Sequence, residues 1–199
     1  VLEQTGQSHV LEFYDKISPA EQTELLGQIE SVDWVELSRL VETHVKNKPK
    51  FELPQNVQPA PWYANVPSGE LAAKYKQARA KGEELVRQGK VAAFTVAGGQ
   101  GTRLGWDAPK GTFPATPVRK QSLFGCFAEY LLKAQAKWGN TIPWYIMTSP
   151  INDGPTRAFF RKNSYFGLDP KNVMFFSQAM MPAIDVVTGK VLMESKSTI

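Results

Sequence analysis

The back half of the chain alternates short apolar runs with segments of helical periodicity, and this alternation constrains the fold more than any other feature. The run Val91–Val96 is almost wholly apolar and ends in glycines, which is typical of a strand that is covered on both faces. Two further runs, Trp144–Met147 and Val173–Phe176, predict strands, and helices are predicted over Ser122–Lys137 and Pro155–Asn163. Strands that alternate with helices predict an α/β fold with a doubly wound, mainly parallel sheet.

The front of the chain has helix signals instead. Ser18, Pro19 and Glu21 combine an N-cap hydroxyl, a proline at the first helical position and a glutamate three residues after the cap. A second start at Ser31–Asp33 precedes another apolar helix face. The sequence therefore predicts a helical N-terminal region.

Prolines are concentrated between the two halves. Residues 47–69 contain five of them with little periodicity, namely Pro49, Pro54, Pro59, Pro61 and Pro67, which predicts an extended connector. A helix from Glu70 to Arg87 follows it. We therefore divide the chain into a helical region 1–46, a connector 47–69 and a nucleotide-binding region 70–199, which we expect to be an incomplete catalytic domain.

The charge is distributed unevenly along the 199 residues. Residues 1–69 have five basic and ten acidic side chains, whereas residues 70–199 have 18 basic and nine acidic ones. A basic back half suits a polyanionic ligand, which could be a nucleotide, a sugar phosphate or a nucleic acid. We disfavour nucleic acid because the basic residues are scattered without interleaved aromatic residues.

Other features of the sequence exclude some classes of protein. No apolar run approaches the roughly 20 residues that cross a bilayer, so we expect no membrane partner. One cysteine and two histidines cannot form an internal disulfide or the usual Cys/His zinc site. No signal peptide is evident at the N-terminus, and the predicted location is the cytoplasm.

A glycine-rich loop, Gly98–Gly111, follows the first predicted strand, where ligands bind in parallel α/β sheets. It does not match the dinucleotide fingerprint, because Gln100 and Leu104 stand where glycines are required. It does not match a P-loop either, because Arg103 replaces a glycine and Lys110 precedes Gly111. A flexible glycine turn with two cations, Arg103 and Lys110, would suit a triphosphate.

The loop and several later segments resemble one family in series. The sequence is similar to the UDP-N-acetylhexosamine pyrophosphorylases, within the wider UDP-sugar pyrophosphorylase group. The matching segments are Ala97–Gly105, Pro109–Gly111, Ile142–Ser149, Tyr165–Leu168 and Asn172–Ala183. They extend in order over roughly residues 90–199. The helical front resembles the N-terminal region of that family less distinctively.

This resemblance implies a Rossmann-like nucleotide-diphospho-sugar transferase fold and uridylyl transfer. The family joins UTP and an N-acetylhexosamine 1-phosphate into a UDP-sugar and pyrophosphate, with Mg²⁺ as cofactor. The implied partners are therefore UTP and a sugar 1-phosphate. The loop residue Gln100 and the pair Arg103-Leu104 favour the N-acetylglucosamine type of acceptor over glucose 1-phosphate, which remains the alternative.

The resemblance also implies roles for individual residues. Ala97, Gly98 and Gly99 would contact the uridine through the backbone, and Gln178 would hydrogen-bond the uracil. A further set would lie along the phosphates, with catalytic roles for its two cations: Gly101, Thr102, Arg103 and Lys110. The family's metal ligand and sugar-recognising segments are expected beyond residue 199. A UTP-binding module without turnover is therefore a second alternative.

Overall fold

The computed structural model describes residues 1–47, 50 and 52–199, which form two compact units. One unit comprises residues 1–60 and 181–199, and the other comprises residues 61–180. The predicted regions 1–46, 47–69 and 70–199 divide the chain by sequence character and remain a prediction, whereas the compact units join residues 181–199 to the front of the chain. Lys48, Pro49 and Phe51 of the predicted connector lie outside the described residues.

The first unit is helical, as predicted. Helix α1 spans Pro19–Ser31 and begins with a reciprocal capping box between Ser18 and Glu21. Helix α2 spans Trp34–Leu40, is capped by Asp33, and continues as a π-helical segment over Val41–Lys46. The sequence signals at both helix starts are therefore confirmed.

A small apolar core holds this unit together. Val10, Trp34, Leu37 and Val191 are buried against one another. The buried Gln7 side chain donates to the carbonyl oxygen of Gly189 at 3.0 Å and accepts from the amide of Val191 at 2.9 Å. These two bonds attach the last segment of the chain to its first turns.

The second unit contains a three-stranded parallel sheet in the order β1-β2-β3. The strands are β1 Ala93–Val96, β2 Trp144–Thr148 and β3 Val173–Ser177. Helix α3 Glu70–Arg87 precedes the sheet, and α4 Leu123–Trp138 and α5 Asp153–Lys162 connect the strands. The predicted parallel α/β sheet and its connecting helices are confirmed.

Short 3₁₀ turns complete the two units. They span Ser8–Leu11, Tyr14–Lys16, Thr102–Leu104, Lys110–Thr112, Ser164–Gly167 and Pro170–Asn172. Among the helices of the described residues, none combines the length and the apolar character that a membrane span requires.

The core of the second unit lies on one face of the sheet. Phe124 and Ala128 of α4 and Phe160 of α5 pack against Trp144 and Ile146 of β2. Phe160 makes edge-on contacts with the rings of several neighbours, including Trp144, at a centroid distance of 5.4 Å. Both connecting helices cover this face because right-handed crossovers between successive strands return on the same side.

The other face of the sheet corrects one expectation. β1 is not covered on both faces, because Phe94 and Val96 are 59% and 66% exposed. The register places Phe94 beside Tyr145 and Val96 beside Met147, so these side chains share one face. The apolar run Val91–Val96 therefore predicted the strand correctly, but the prediction that both of its faces are covered was wrong among the described residues.

Candidate functional site

The glycine-rich loop lies at the carboxyl end of β1, as predicted. The Ala97 amide still donates to the carbonyl oxygen of Met147 at 2.7 Å, and the chain then leaves the sheet. The loop folds back on itself through two backbone hydrogen bonds. The Gly101 amide donates to Ala108 at 3.0 Å, and the Lys110 amide donates to Gly99 at 3.1 Å. The loop is therefore compact and internally hydrogen-bonded rather than extended.

Two glycines of this loop are required by its packing. A Cβ atom on Gly101 would lie 2.8 Å from the carbonyl oxygen of Trp106, which is too close for any larger residue. A Cβ atom on Gly111 would overlap the ring of the buried Phe124. The loop consequently lies close against its own backbone and against α4.

The start of the loop presents unpaired donors. Within the described part of the chain, the backbone amides of Gly98, Gly99 and Gln100 donate to no protein acceptor. Gly99 and Gln100 are exposed residues, and Gly98 is half-buried. Adjacent free amides of this kind can bind an anion or a polar ligand atom.

Gln178 lies directly beside Gly98. Immediately after β3, the backbone amide of Gln178 donates to the carbonyl oxygen of Thr148 at 2.9 Å. A Cβ atom on Gly98 would lie 3.0 Å from Oε1 of Gln178, so the two residues are in contact. They meet because parallel strands end at the same edge of a sheet, although 80 positions separate them in sequence.

The two predicted cations have exposed side chains. Arg103 lies in the turn Thr102–Leu104, and Lys110 begins the turn Lys110–Thr112. Neither headgroup forms an ion pair with any of the described residues. They contrast with Arg119, Lys133 and other cations that are paired with carboxylates. The structure thus joins Ala97, Gly98 and Gln178 at one edge and leaves both cations without a described partner.

Sequence reasoning did not identify Asn152, which is fully buried behind the loop. Its Nδ2 atom donates to the carbonyl oxygens of Ala97 at 3.0 Å and Gly99 at 3.4 Å. Its Oδ1 atom accepts from the Ser149 amide at 2.9 Å. The available signal was a polar residue soon after the β2 run, at the same sheet edge as the glycines.

The neighbouring Asp153 connects β2 with β3. Its carboxylate accepts from the Thr148 hydroxyl and from Nε of Arg157, both at 2.6 Å, and Arg157 also donates to the carbonyl oxygen of Phe175. Burial raises the pKa of the Asp153 carboxyl, but hydrogen bonds from Arg157 and Thr148 outweigh it and lower the pKa below its ordinary value. This ionised carboxylate fixes the strand end that leads to Gln178.

The described residues do not form a metal site by themselves. They contain no group of three His, Cys, Asp or Glu side chains that could hold a metal ion. Mg²⁺ prefers carboxylate, phosphate and water oxygens. We therefore assign the predicted magnesium to none of the described residues.

Comparisons with known proteins agree with the resemblance seen in the sequence. The chain is 36% identical over 211 residues to UDP-N-acetylhexosamine pyrophosphorylase-like protein 1 of Xenopus tropicalis, covering 98% of this chain and 40% of that protein. It is 33% identical over 197 residues to UDP-N-acetylglucosamine pyrophosphorylase of Saccharomyces cerevisiae, covering 94% of this chain and 41% of that protein. The chain thus spans about 40% of the length of these curated relatives.

A solved structure supports the same relationship. The crystal structure of uridine diphosphate N-acetylglucosamine pyrophosphorylase from Trypanosoma brucei, in complex with an inhibitor, matches with a TM-score of 0.75 and 29% identity. The match covers 99% of this chain and 40% of that one, which confirms the predicted nucleotidyltransferase type of α/β fold. The model of the UTP–glucose-1-phosphate uridylyltransferase family matches residues 34–198. The chain therefore belongs to the UTP–glucose-1-phosphate uridylyltransferase family.

Proposed function

We propose that this chain supplies the UTP-binding part of a uridylyltransferase that forms UDP-N-acetylglucosamine and pyrophosphate from UTP and N-acetylglucosamine 1-phosphate. The observation that carries the proposal is the contact between Gly98 and Gln178 at the edge of the sheet. Free backbone amides and an amide side chain together suit a uracil ring, which offers both donors and acceptors. The name of the Saccharomyces cerevisiae relative favours the N-acetylglucosamine acceptor.

The reaction requires the protein to position the two substrates and to neutralise the negative charge of the phosphates. An oxygen of the sugar phosphate attacks the α-phosphorus of UTP in line. The bond from that phosphorus to the oxygen that bridges the α- and β-phosphates breaks, and this oxygen becomes a terminal oxygen of the departing pyrophosphate. Negative charge accumulates on the departing pyrophosphate, so cations near it lower the barrier. Arg103 and Lys110 are free to take that role, and no protein nucleophile is needed. Bound Mg²⁺ would supply further neutralisation of the phosphates.

Two alternatives remain open to experiment. The description of the family names glucose 1-phosphate as the acceptor. A UTP-binding module without turnover is the other alternative, because the chain spans only about 40% of its relatives. We further propose a cytoplasmic location, which rests on the sequence expectations alone.

Calorimetric titration with UTP tests the binding step, with CTP as the comparison nucleotide. We expect UTP to bind and CTP to bind more weakly, because CTP inverts the hydrogen-bonding edge that Gln178 would contact. Equal affinity for both nucleotides, or no binding of UTP, would contradict the proposal. Pyrophosphate release with Mg²⁺ and N-acetylglucosamine, N-acetylgalactosamine or glucose 1-phosphate then identifies the acceptor. UTP binding without any release of pyrophosphate would favour a UTP-binding module without turnover.

A further inference from the structure

We infer that Asn152 is a positioning residue that sets the direction of the glycine-loop amides, and through them the affinity for UTP. The UTP part of this inference rests on the proposed function. Asn152 does not face the ligand side of the loop; it lies fully buried behind it, at the N-cap of α5. Its action is therefore through the backbone of residues 97–100.

The geometry of the peptide bond explains how Asn152 can set the direction of the loop amides. The described peptide bonds are all trans, so a carbonyl oxygen and the following amide hydrogen point in opposite directions. Asn152 holds the Ala97 carbonyl, which directs the Gly98 amide away from the protein interior. It also contacts the Gly99 carbonyl, which directs the Gln100 amide the same way. The Gly98 and Gln100 amides thus face outward because one side chain holds the carbonyl groups of their peptide bonds.

Asn152 is itself held in place by its neighbours. Its Oδ1 atom accepts from the Ser149 amide, which fixes the amide group so that Nδ2 faces the loop. Its own backbone carbonyl accepts from the Thr156 amide in α5. The carbonyl oxygen of Gly99 also accepts from the Lys110 amide, so Asn152 contacts the same carbonyl group that holds Lys110 in the folded loop. A single buried group therefore connects the β2–α5 turn to the start of the loop.

Two variants remove the donor in different ways. Asn152→Asp keeps the shape but places a carboxylate against two carbonyl oxygens. Asn152→Ser removes the reach of the side chain while keeping a residue type that is favoured at an N-cap, so we expect this variant to fold. The matched control is Thr156→Ala, which truncates a fully buried side chain in the same helix turn whose hydroxyl has no partner among the described residues.

The first measurement does not involve UTP. Amide hydrogen exchange followed by NMR reports the Gly101 and Lys110 amides, which are hydrogen-bonded within the loop. We expect both to exchange faster in the Asn152 variants, by about tenfold or more, and to be unchanged in Thr156→Ala. The Ile146 amide in β2 serves as an internal reference. Unchanged exchange at Gly101 and Lys110 in folded variants would overturn the inference.

The second measurement is the dissociation constant for UTP. We expect both Asn152 variants to bind UTP about tenfold more weakly or worse, and Thr156→Ala to bind it like the original chain. Equal weakening in Thr156→Ala would assign Asn152 a merely structural role and overturn the inference. If the original chain itself does not bind UTP, the proposed function fails, and hydrogen exchange still decides whether Asn152 positions the loop.

Discussion

Oε1 of Gln178 lies 3.0 Å from the position that a Cβ atom on Gly98 would occupy, which is closer than an ordinary van der Waals contact. The absence of a side chain at position 98 is therefore what lets Gln178 lie along the loop. Gln178 is exposed, so its side chain can rotate away from an added methyl group without disturbing the core. We therefore expect this contact to affect ligand binding more than the free energy of unfolding.

We expect Gly98→Ala to displace Gln178 and weaken UTP binding by about tenfold, with a change in the free energy of unfolding of less than about 1 kcal/mol. Titration calorimetry and urea denaturation give the two values. The Gln178→Ala background provides the control. There the alanine at position 98 meets no side chain, so the two substitutions together should cost less than the sum of each alone. Additive losses would show that the two residues act separately.

Gly111→Ala tests the contact between the loop and α4. The added methyl group would overlap the Phe124 ring, and Phe124 is 1% exposed at the centre of the core. We expect a loss of about 1–3 kcal/mol or more in the free energy of unfolding, measured by urea denaturation. Gly82→Ala in α3 is the control, because that site is open and alanine favours a helix, so stability should rise by up to about 1 kcal/mol. Equal stability of the two variants would show that the loop is free to shift away from α4.

Arg103→Ala and Lys110→Ala should affect the ligand and not the fold. Neither headgroup has an ion-pair partner among the described residues, so their removal should leave the thermal midpoint nearly unchanged. We expect UTP affinity to fall by about 10–100-fold for each, as for the loss of a charged hydrogen bond to phosphate. The exposed Lys162→Ala variant at the end of α5 should bind UTP normally. If it weakens binding as much as the other two, only the overall charge matters.

Asp153 should make stability depend on pH in the acid range. Its pKa in the folded chain is lowered despite burial, because Arg157 and Thr148 stabilise the carboxylate. Its contribution is therefore complete above the ordinary aspartate pKa of about 3.9 and is lost as the pH falls through the lowered value. Urea denaturation of the original chain and of Asp153→Asn at pH 6 and at lower pH measures this. The difference in the free energy of unfolding between the unsubstituted chain and Asp153→Asn should shrink as the pH falls. A difference that does not change with pH would contradict a stabilising role of the ionised Asp153 carboxylate.

Local features of the sequence were sufficient to predict most of the secondary structure. The start signals at Ser18 and at Ser31–Asp33 and the apolar run of each strand act over a few positions, so they predicted these helix starts and the strands correctly. The prediction that β1 is covered on both faces was wrong for a simple reason. Phe94 and Val96 are apolar whether or not a second layer covers them, so the sequence alone could not show that this face is exposed.

By itself, the sequence determined the α/β class, the glycine loop after β1 and the residue types that suit a nucleotide. Only the tertiary structure brought Gly98 to Gln178 and placed Asn152 behind the loop, because both contacts join residues from different strand ends. Propensities and caps depend on neighbours within a few residues. A hydrogen bond across 55 positions depends on the register of the sheet, which no local pattern encodes.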